Sequence, residues 1–258
     1  MTKSLRLPIL VPILLLAGCA SLPWSTRTDD VWSQYGPAMQ DPIEAQIQDL
    51  SPLDRYDLEV RIDPDAEKQV TGYEHVLVNH RGQDELDQLY FRLYPNLLRY
   101  GGDMSINGVA VDGETVPFGY EAENTAVHFY LPEPLLPAEQ VRVEFKYELA
   151  VPRRTSNYVL FGQTGSIISL PVFYPVRAVR ETQGGQPEWD LNVAYSAHGD
   201  AAFMEAGLYM VTATVPSDMV LVGTGTVITR TASSKEEGWE DVRLAGGPRR
   251  EFMLIMSP

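Results

Sequence analysis

The sequence predicts an all-β fold, an antiparallel sandwich or open barrel. Three observations predict it. From Asp54 onward, apolar and polar residues alternate with period two in many short segments. Pro, Gly, Asp and Ser punctuate those segments as turns. No long stretch in this region carries the 3.6-residue spacing of a helix.

The chain begins with a short basic start, Met1-Thr2-Lys3-Ser4-Leu5-Arg6, followed by an apolar run from Leu7 to Leu16. That run is too short to span a bilayer as a mature helix, and small residues follow it. Leu16-Ala17-Gly18-Cys19 resembles the lipobox of bacterial lipoproteins, in which cleavage before the cysteine frees its thiol for diacylglycerol. Residues 1–18 are therefore read as a signal peptide and Cys19 as the lipid attachment site. The expected location is the bacterial cell envelope, anchored in a bilayer and facing outside the cytoplasm. Two or more acyl chains on one residue make such attachment stable.

Residues 19–53 read as a tether rich in Ser, Thr, Pro, Asp and Gln. Within it, Asp41-Pro42-Ile43-Glu44 is either a helix start or more linker. Asp caps, proline takes the first helical position, and Ile43, Ile47 and Leu50 share one face. Ser51-Pro52 ends it.

Residues 54–258 form the β-domain. Tyr56, Leu58, Val60 and Ile62 alternate with Asp57, Glu59 and Arg61 in a half-buried strand, closed by Asp63-Pro64-Asp65. Gly72 to Asn79 and Gln88 to Tyr94 follow. Ile106 to Val111 and Thr115 to Tyr120 flank the hairpin signal Asp112-Gly113. Ala126 to Leu131 precedes Pro132. Val141, Val143, Phe145, Tyr147 and Leu149 make the cleanest alternation in the chain. Trp189, Leu191, Val193 and Tyr195 suggest another strand. Leu208 to Val215 and Met219 to Thr229 form a pair split by Pro216-Ser217-Asp218, and Val242 to Leu244 and Phe252 to Met256 come last. The sequence printed stops at Pro258 directly after a strand, which reads as the front of something longer.

Composition narrows the function. A net charge of −15 argues against nucleic acid and anionic membrane surfaces as partners. Cys19 is the only cysteine, so no intrachain disulfide or thiolate metal site is available. No D-x-D-x-D-G loop appears.

Chemistry-bearing patterns are sparse. His75 and His80 fall on opposite sides of one strand and do not share a metal; His80 borders a turn and is expected in solvent. His128 alternates with Val127 and Phe129 and is expected outward. His198 lies two residues before Asp200 in a loop, which offers a weak hydrolase candidate without a nucleophile. Gly165-Ser166 lacks the second glycine of a nucleophile elbow. Gly223-Thr224-Gly225 reads as a bulge or tight turn and not a phosphate loop. Tyr90, Tyr94 and Tyr100 around Arg92, with Phe173-Tyr174, are either a sugar-binding platform or core.

One ordered series goes further. Tyr56-x-Leu58-x-Val60-x-Ile62-Asp63-Pro64 leads to Val70-Thr71-Gly72 and to Leu89-Tyr90-Phe91-Arg92-Leu93-Tyr94-Pro95-Asn96. Val109-x-Val111-Asp112-Gly113, Leu131-Pro132-x-Pro134-Leu135, Val143-x-Phe145 and Phe173-Tyr174-Pro175 follow. Val211-x-Ala213-Thr214-Val215-Pro216, Gly223-x-Gly225 and Arg250-Glu251-Phe252 complete it. The series resembles the N-terminal β-domain of zinc aminopeptidases of the aminopeptidase N type, a gluzincin group that includes the leukotriene hydrolases. It covers about Asp54 to Met256.

The resemblance implies a saddle-shaped, largely antiparallel β-sandwich packed on a catalytic domain. That domain carries a Gly-x-Met-Glu-Asn loop, an H-E-x-x-H zinc helix and a downstream glutamate; none of these motifs occurs here. The implied role is the non-catalytic domain of a zinc metallopeptidase, with zinc in the full-length enzyme and no cofactor or metal ligand in this chain. Implied partners are a catalytic domain, in cis or trans, and a peptide substrate. The family's N-domain lends a glutamine to the substrate's amino end, and Gln163 is the nearest glutamine upstream of Phe173-Tyr174-Pro175; the usual Arg-x-x-x-Pro-Cys pattern is absent. The alternative is a free-standing lipoprotein sandwich that binds a glycan, peptide or protein.

The anchor generates the first prediction. Cys19→Ser is expected to move the protein from the membrane to the soluble fraction. Fractionation that leaves it in the membrane overturns the assignment.

Overall fold

The computed structural model describes residues 34–39, 49–155, 160–183, 186–193 and 202–258. Cys19, His198 and Asp200, and most of the Asp41 helix start, lie outside the described residues. The strands in chain order are β1 (Asp54–Ile62), β2 (Val70–Asn79), β3 (Leu86–Arg92), β4 (Asp103–Val111), β5 (Glu114–Thr115), β6 (Phe118–Glu121), β7 (Ala126–Leu135), β8 (Gln140–Ala150) and β9 (Gly162–Thr164). Then come β10 (Ile167–Pro171), β11 (Val176–Arg177), β12 (Arg180–Gln183), β13 (Gln186–Trp189), β14 (Gly207–Pro216), β15 (Val220–Gly223), β16 (Thr226–Ala232), β17 (Trp239–Arg249) and β18 (Met253–Ser257).

The all-β expectation holds, with several antiparallel sheets. The largest has eight strands in the order β16-β17-β14-β1-β2-β8-β4-β5. Two four-stranded sheets, β15-β18-β10-β9 and β11-β3-β7-β6, and the ribbon β12-β13 complete the set. One ladder runs differently: β1 pairs in parallel with β14, from Asp54 opposite Gly207 to Arg61 opposite Thr214. Parallel neighbours need a long crossover, and here β2 to β13 supply it.

Period two explains the layers. On β8, Val141, Val143, Phe145, Tyr147 and Leu149 are all buried, while Gln140 and Lys146 are exposed. Their face packs on both small sheets. Phe145 meets Phe91 of β3 at 4.7 Å and Phe129 of β7 at 6.0 Å. Tyr209 of β14 meets Phe252, beside β18, at 5.7 Å. Each buried large side chain contributes about 2–3 kcal/mol, so the seam between the sheets is where the fold gains most.

The outer face of the large sheet is partly covered too. Tyr35 and Leu50 are buried against Leu208, Met210 and Ala245. Residues 34–39 and 49–53, within the stretch read as tether, thus lie against the sheet. Covering this face carries a cost: burial, with Glu59 adding, pushes the Asp57 carboxyl up to about 6.

Several strand boundaries differ from the sequence reading, each for a physical reason. Thr115 to Tyr120 divides at Pro117, which has no N–H to give a ladder: β5 stays on β4 and β6 joins β7 in another sheet. Met219 to Thr229 divides at Gly223-Thr224-Gly225, where the chain leaves the small sheet for the large one. A side chain on Gly225 would lie 2.6 Å from the Ala245 carbonyl oxygen, so the turn reading of these glycines is correct. Of the strand expected from Trp189 to Tyr195, the ladder stops at Trp189 and residues 190–193 join no strand, while Tyr195 lies outside the described residues. The Asp190 and Asn192 carbonyls instead accept from the Arg92 guanidinium, both at 2.9 Å. Gln88 to Tyr94 ends at Arg92, in a 3-10 turn at Tyr94–Asn96. Ala126 to Leu131 runs on to Leu135. Asp112 and Gly113 have φ of 49° and 86°, as a two-residue hairpin of the expected type needs.

Gly72 sets a sharp constraint. The Tyr147 ring lies across it, and a Cβ there would sit 2.0 Å from the Tyr147 ring carbon Cζ. Gly72→Ala is expected to cost about 3 kcal/mol in urea unfolding, and the double variant with Tyr147→Leu to recover part of it. An unchanged midpoint for Gly72→Ala overturns this.

Candidate functional site

Sheet β15-β18-β10-β9 has two unequal faces. Leu221, Met256, Ile168 and Gln163 stand opposite one another across the strands. That row is buried, and it points into the core. The next row, Val222 and Ile255, points away from it. Val220 is 59 % exposed, Val222 52 % and Ile167 50 %, with Met253 and Ile255 half-buried beside them. An apolar stripe on the outer face of a sheet is the pattern of a docking surface. It surrounds the last strand.

Gln163 sits on β9 at the edge of this sheet and is 7 % exposed. Its backbone N–H donates to the Pro152 carbonyl at 2.8 Å and its carbonyl accepts from the Arg154 N–H at 2.7 Å. The side-chain Nε2 donates to the Gly165 carbonyl at 3.3 Å, which fixes the amide orientation. Its Oε1 is buried with no partner among the described residues. An acceptor left free in this way suits an N–H donor brought in from outside.

A second place of interest is a charged cleft of about 620 Å³ lined by His80, Arg81, Asp84, Arg177, Arg180 and Glu205, among others. Arg177 pairs with Asp54 at 2.6 Å and with Glu205 at 2.7 Å, and Arg81 also pairs with Glu205. Arg180 makes a two-pronged contact with Asp84 at 2.8 and 2.7 Å. The cations are matched by carboxylates, so the cluster ties β11 and the loop after β2 to the start of β1.

A third is a groove of about 710 Å³ on the outer face of the large sheet. Thr212, Glu59, Tyr73 and Lys146 form one row across β14, β1, β2 and β8. Asp241, Thr214, Arg61 and Thr71 form the next. Lys235 and Glu236, from the β16–β17 turn, make a wall. Arg61 holds that wall by two 3.1 Å hydrogen bonds to Glu236 and lies 3.9 Å from the centre of the Trp239 ring. Glu59, Glu236 and Asp241 balance Arg61, Lys146 and Lys235, so the groove is neutral in an acidic chain.

The histidines divide. His80 is 4 % exposed, contrary to its expected place in solvent, because its ring nitrogen bonds the Asp84 carbonyl and its backbone joins the loop at Glu139. His75 is half-buried, 3.7 Å from Glu144, and burial lowers its pKa. His128 stacks on Tyr90 at 5.4 Å. Among the described residues no three His, Asp or Glu side chains group to hold a metal, so these residues do not fit a zinc site. Of the suggested aromatic platform, Tyr94, Tyr100, Phe173 and Tyr174 are buried, so the core reading is correct for them. The groove was not expected from the sequence: it needs strands far apart in sequence to lie side by side.

The Asp54–Arg177 pair yields a prediction. Asp54 is 3 % exposed, and removing one partner of a buried pair leaves an uncompensated charge. Arg177→Met is expected to lower stability by about 3 kcal/mol, and Asp54→Asn in the same chain to restore part. A single variant as stable as the parent refutes it.

Among solved structures, the chain is similar to an M1 zinc metallopeptidase from Deinococcus radiodurans. The identity is 17 % and the TM-score 0.52, over 80 % of this chain and 42 % of that one. A single-residue variant from the same organism gives 16 % identity and a TM-score of 0.53, with the same coverage. A two-domain M1 zinc metallopeptidase variant bound to L-arginine gives 17 % and 0.50. The likeness establishes the fold, and the chain spans less than half the length of these relatives. No described protein family and no curated protein matches the sequence.

Proposed function

We propose that this chain is the non-catalytic N-terminal domain of a lipid-anchored zinc metallopeptidase of the aminopeptidase N type. In that role it packs on a catalytic domain and shapes its substrate cleft. The observation that carries the reading is the apolar stripe of exposed Val220, Val222 and Ile167 beside half-buried Ile255 around β18. Covering it gains roughly 25 cal/mol per Å² of apolar surface, and a neighbouring domain is the occupant this reading supplies. Zinc belongs to the catalytic domain, whose motifs do not occur in this sequence. Cys19 holds the assembly at the membrane. Gln163 is the proposed substrate contact, with Oε1 accepting from the amino end of a peptide.

A second reading rests on the neutral groove. Its paired rows of Thr, Tyr and balanced charges suit an uncharged polar ligand such as a glycan held by a free-standing lipoprotein.

One set of experiments separates the two. With zinc added, the chain by itself is expected to hydrolyse no aminoacyl substrate; chelator-sensitive turnover overturns this. Combined with an aminopeptidase N-type catalytic domain, in one chain or two, it is expected to form a complex. Val222→Asp with Ile255→Asp should weaken that complex roughly 100-fold or more without lowering the domain's own unfolding midpoint. Gln163→Ala should raise KM more than it lowers kcat. Failure to form the complex, with glycan binding that Thr212→Arg abolishes, decides for the second reading.

A further inference from the structure

Glu74 has no exposed surface, and neither carboxyl oxygen has a hydrogen-bond partner among the described residues. It lies on β2 with Gly72 and Val76 on the buried face. Tyr147 is 1 % exposed, and its hydroxyl is likewise without a partner among those residues. That hydroxyl projects across Gly72, two residues from Glu74. Two unsatisfied polar groups on one stretch of the same buried face are uncommon, and bound water is the usual resolution.

The surroundings determine the protonation state. An isolated carboxylate in an apolar interior costs far more than a retained proton. Burial accordingly drives Glu74 well above the usual carboxylate range. The groups nearest it are phenols: Tyr56 from β1, Tyr147 from β8 and Tyr209 from β14, each of which a charge on Glu74 would push further up. Tyr174, between β10 and β11, packs on Tyr56 and Tyr209. All four phenols are themselves pushed upward by burial. The charged groups next in line, Asp54 and Arg177, neutralise each other. No cation among the described residues stands against Glu74.

The same phenols hold the approach to the last strand. Tyr209 donates to the Arg250 carbonyl at 3.1 Å, and the Phe252 N–H donates to the Tyr174 hydroxyl at 2.9 Å. Tyr56 stacks on Tyr209 at 5.0 Å. The phenols around Glu74 thus connect the β1–β14 pairing to residues 250–252.

We propose that Glu74 and Tyr147 form an internal polar site holding a bound water and a proton, and that loss of the proton loosens the seam where residues 250–252 enter β18. This is independent of the peptidase reading. The direction with pH follows from linkage. The unfolded chain releases the Glu74 proton near 4.5 while the fold keeps it. The stability it contributes is therefore full at low pH and is lost as pH rises toward the folded value.

The test uses the full chain and three variants, Glu74→Gln, Glu74→Leu and Tyr147→Phe, in urea unfolding from pH 5 to 9. Relative to Glu74→Gln, the parent's unfolding constant should rise by up to about tenfold per pH unit. Amide exchange at Met253–Ser257, corrected for intrinsic rates, should accelerate with pH in the parent and not in Glu74→Gln. A crystal structure should show a water bonded to both Glu74 and Tyr147, absent in Glu74→Leu. If Glu74→Gln does not fold, Tyr147→Phe should keep the pH slope and lose the water. Parallel pH profiles, acceleration spread evenly over all strands, or no water at the site overturns the proposal. So does a sodium-dependent midpoint at high pH, which assigns the site to a cation.

Discussion

The parallel pairing of β1 with β14 is the contact on which the rest depends. Every other ladder between named strands is antiparallel, and many join near neighbours in sequence. This one joins Asp54–Arg61 to Gly207–Thr214 across about 150 residues of chain. Closing so long a loop costs entropy that grows slowly with its length. The return is concentrated: Tyr56 stacks on Tyr209, Tyr174 and Phe252 close over them, and Asp54 reaches Arg177. Without that pairing the eight-stranded sheet is two separate ribbons, and neither small sheet has a full floor. Contacts this distant also imply slow folding for the chain length.

The fold class was legible because burial on one face of a strand repeats every two residues. Val141 to Leu149 shows it plainly, and so does Tyr56 to Ile62. What alternation does not encode is which sheet a strand joins. Met219 to Thr229 reads as one strand, yet Gly223 and Gly225 carry it from one sheet to another. Pro117 does the same after β5. The Arg92 guanidinium takes carbonyls that a continued ladder after Trp189 would have used, and no local pattern announces such a long-range bond.

The candidate site was legible in part. The apolar run Phe252 to Met256 was read as the last strand, and its outward row, Met253 and Ile255, lies half-buried between exposed Val220, Val222 and Ile167. The groove was hidden because Thr212, Glu59 and Tyr73 become neighbours only through the register. Glu74 left a usable signal: it shares parity with Gly72, Val76 and Val78, which places an acid on the buried face. His80 went the other way, since a turn suggested solvent while its ring closes a tight loop at Asp84. The polar groups of this interior thus fall into two kinds. Arg92, Arg177 and Asp54 are bonded and brace loops; Glu74, the Tyr147 hydroxyl and the Gln163 oxygen have no partner among the described residues.

The burial of Tyr35 has a geometric consequence for an anchored protein. If Cys19 is fixed in a membrane, the leash ends at Tyr35 and not at the start of β1. Sixteen residue steps then separate lipid from domain, a reach of at most roughly 55 Å. Because Tyr35 is seated on Leu208 and Met210, the strap leaves from the outer side of the large sheet. The stripe around β18 belongs to the sheet on the opposite side of the core. Under that anchor, tension in the leash pulls on one side of the domain while the strands proposed to dock look elsewhere.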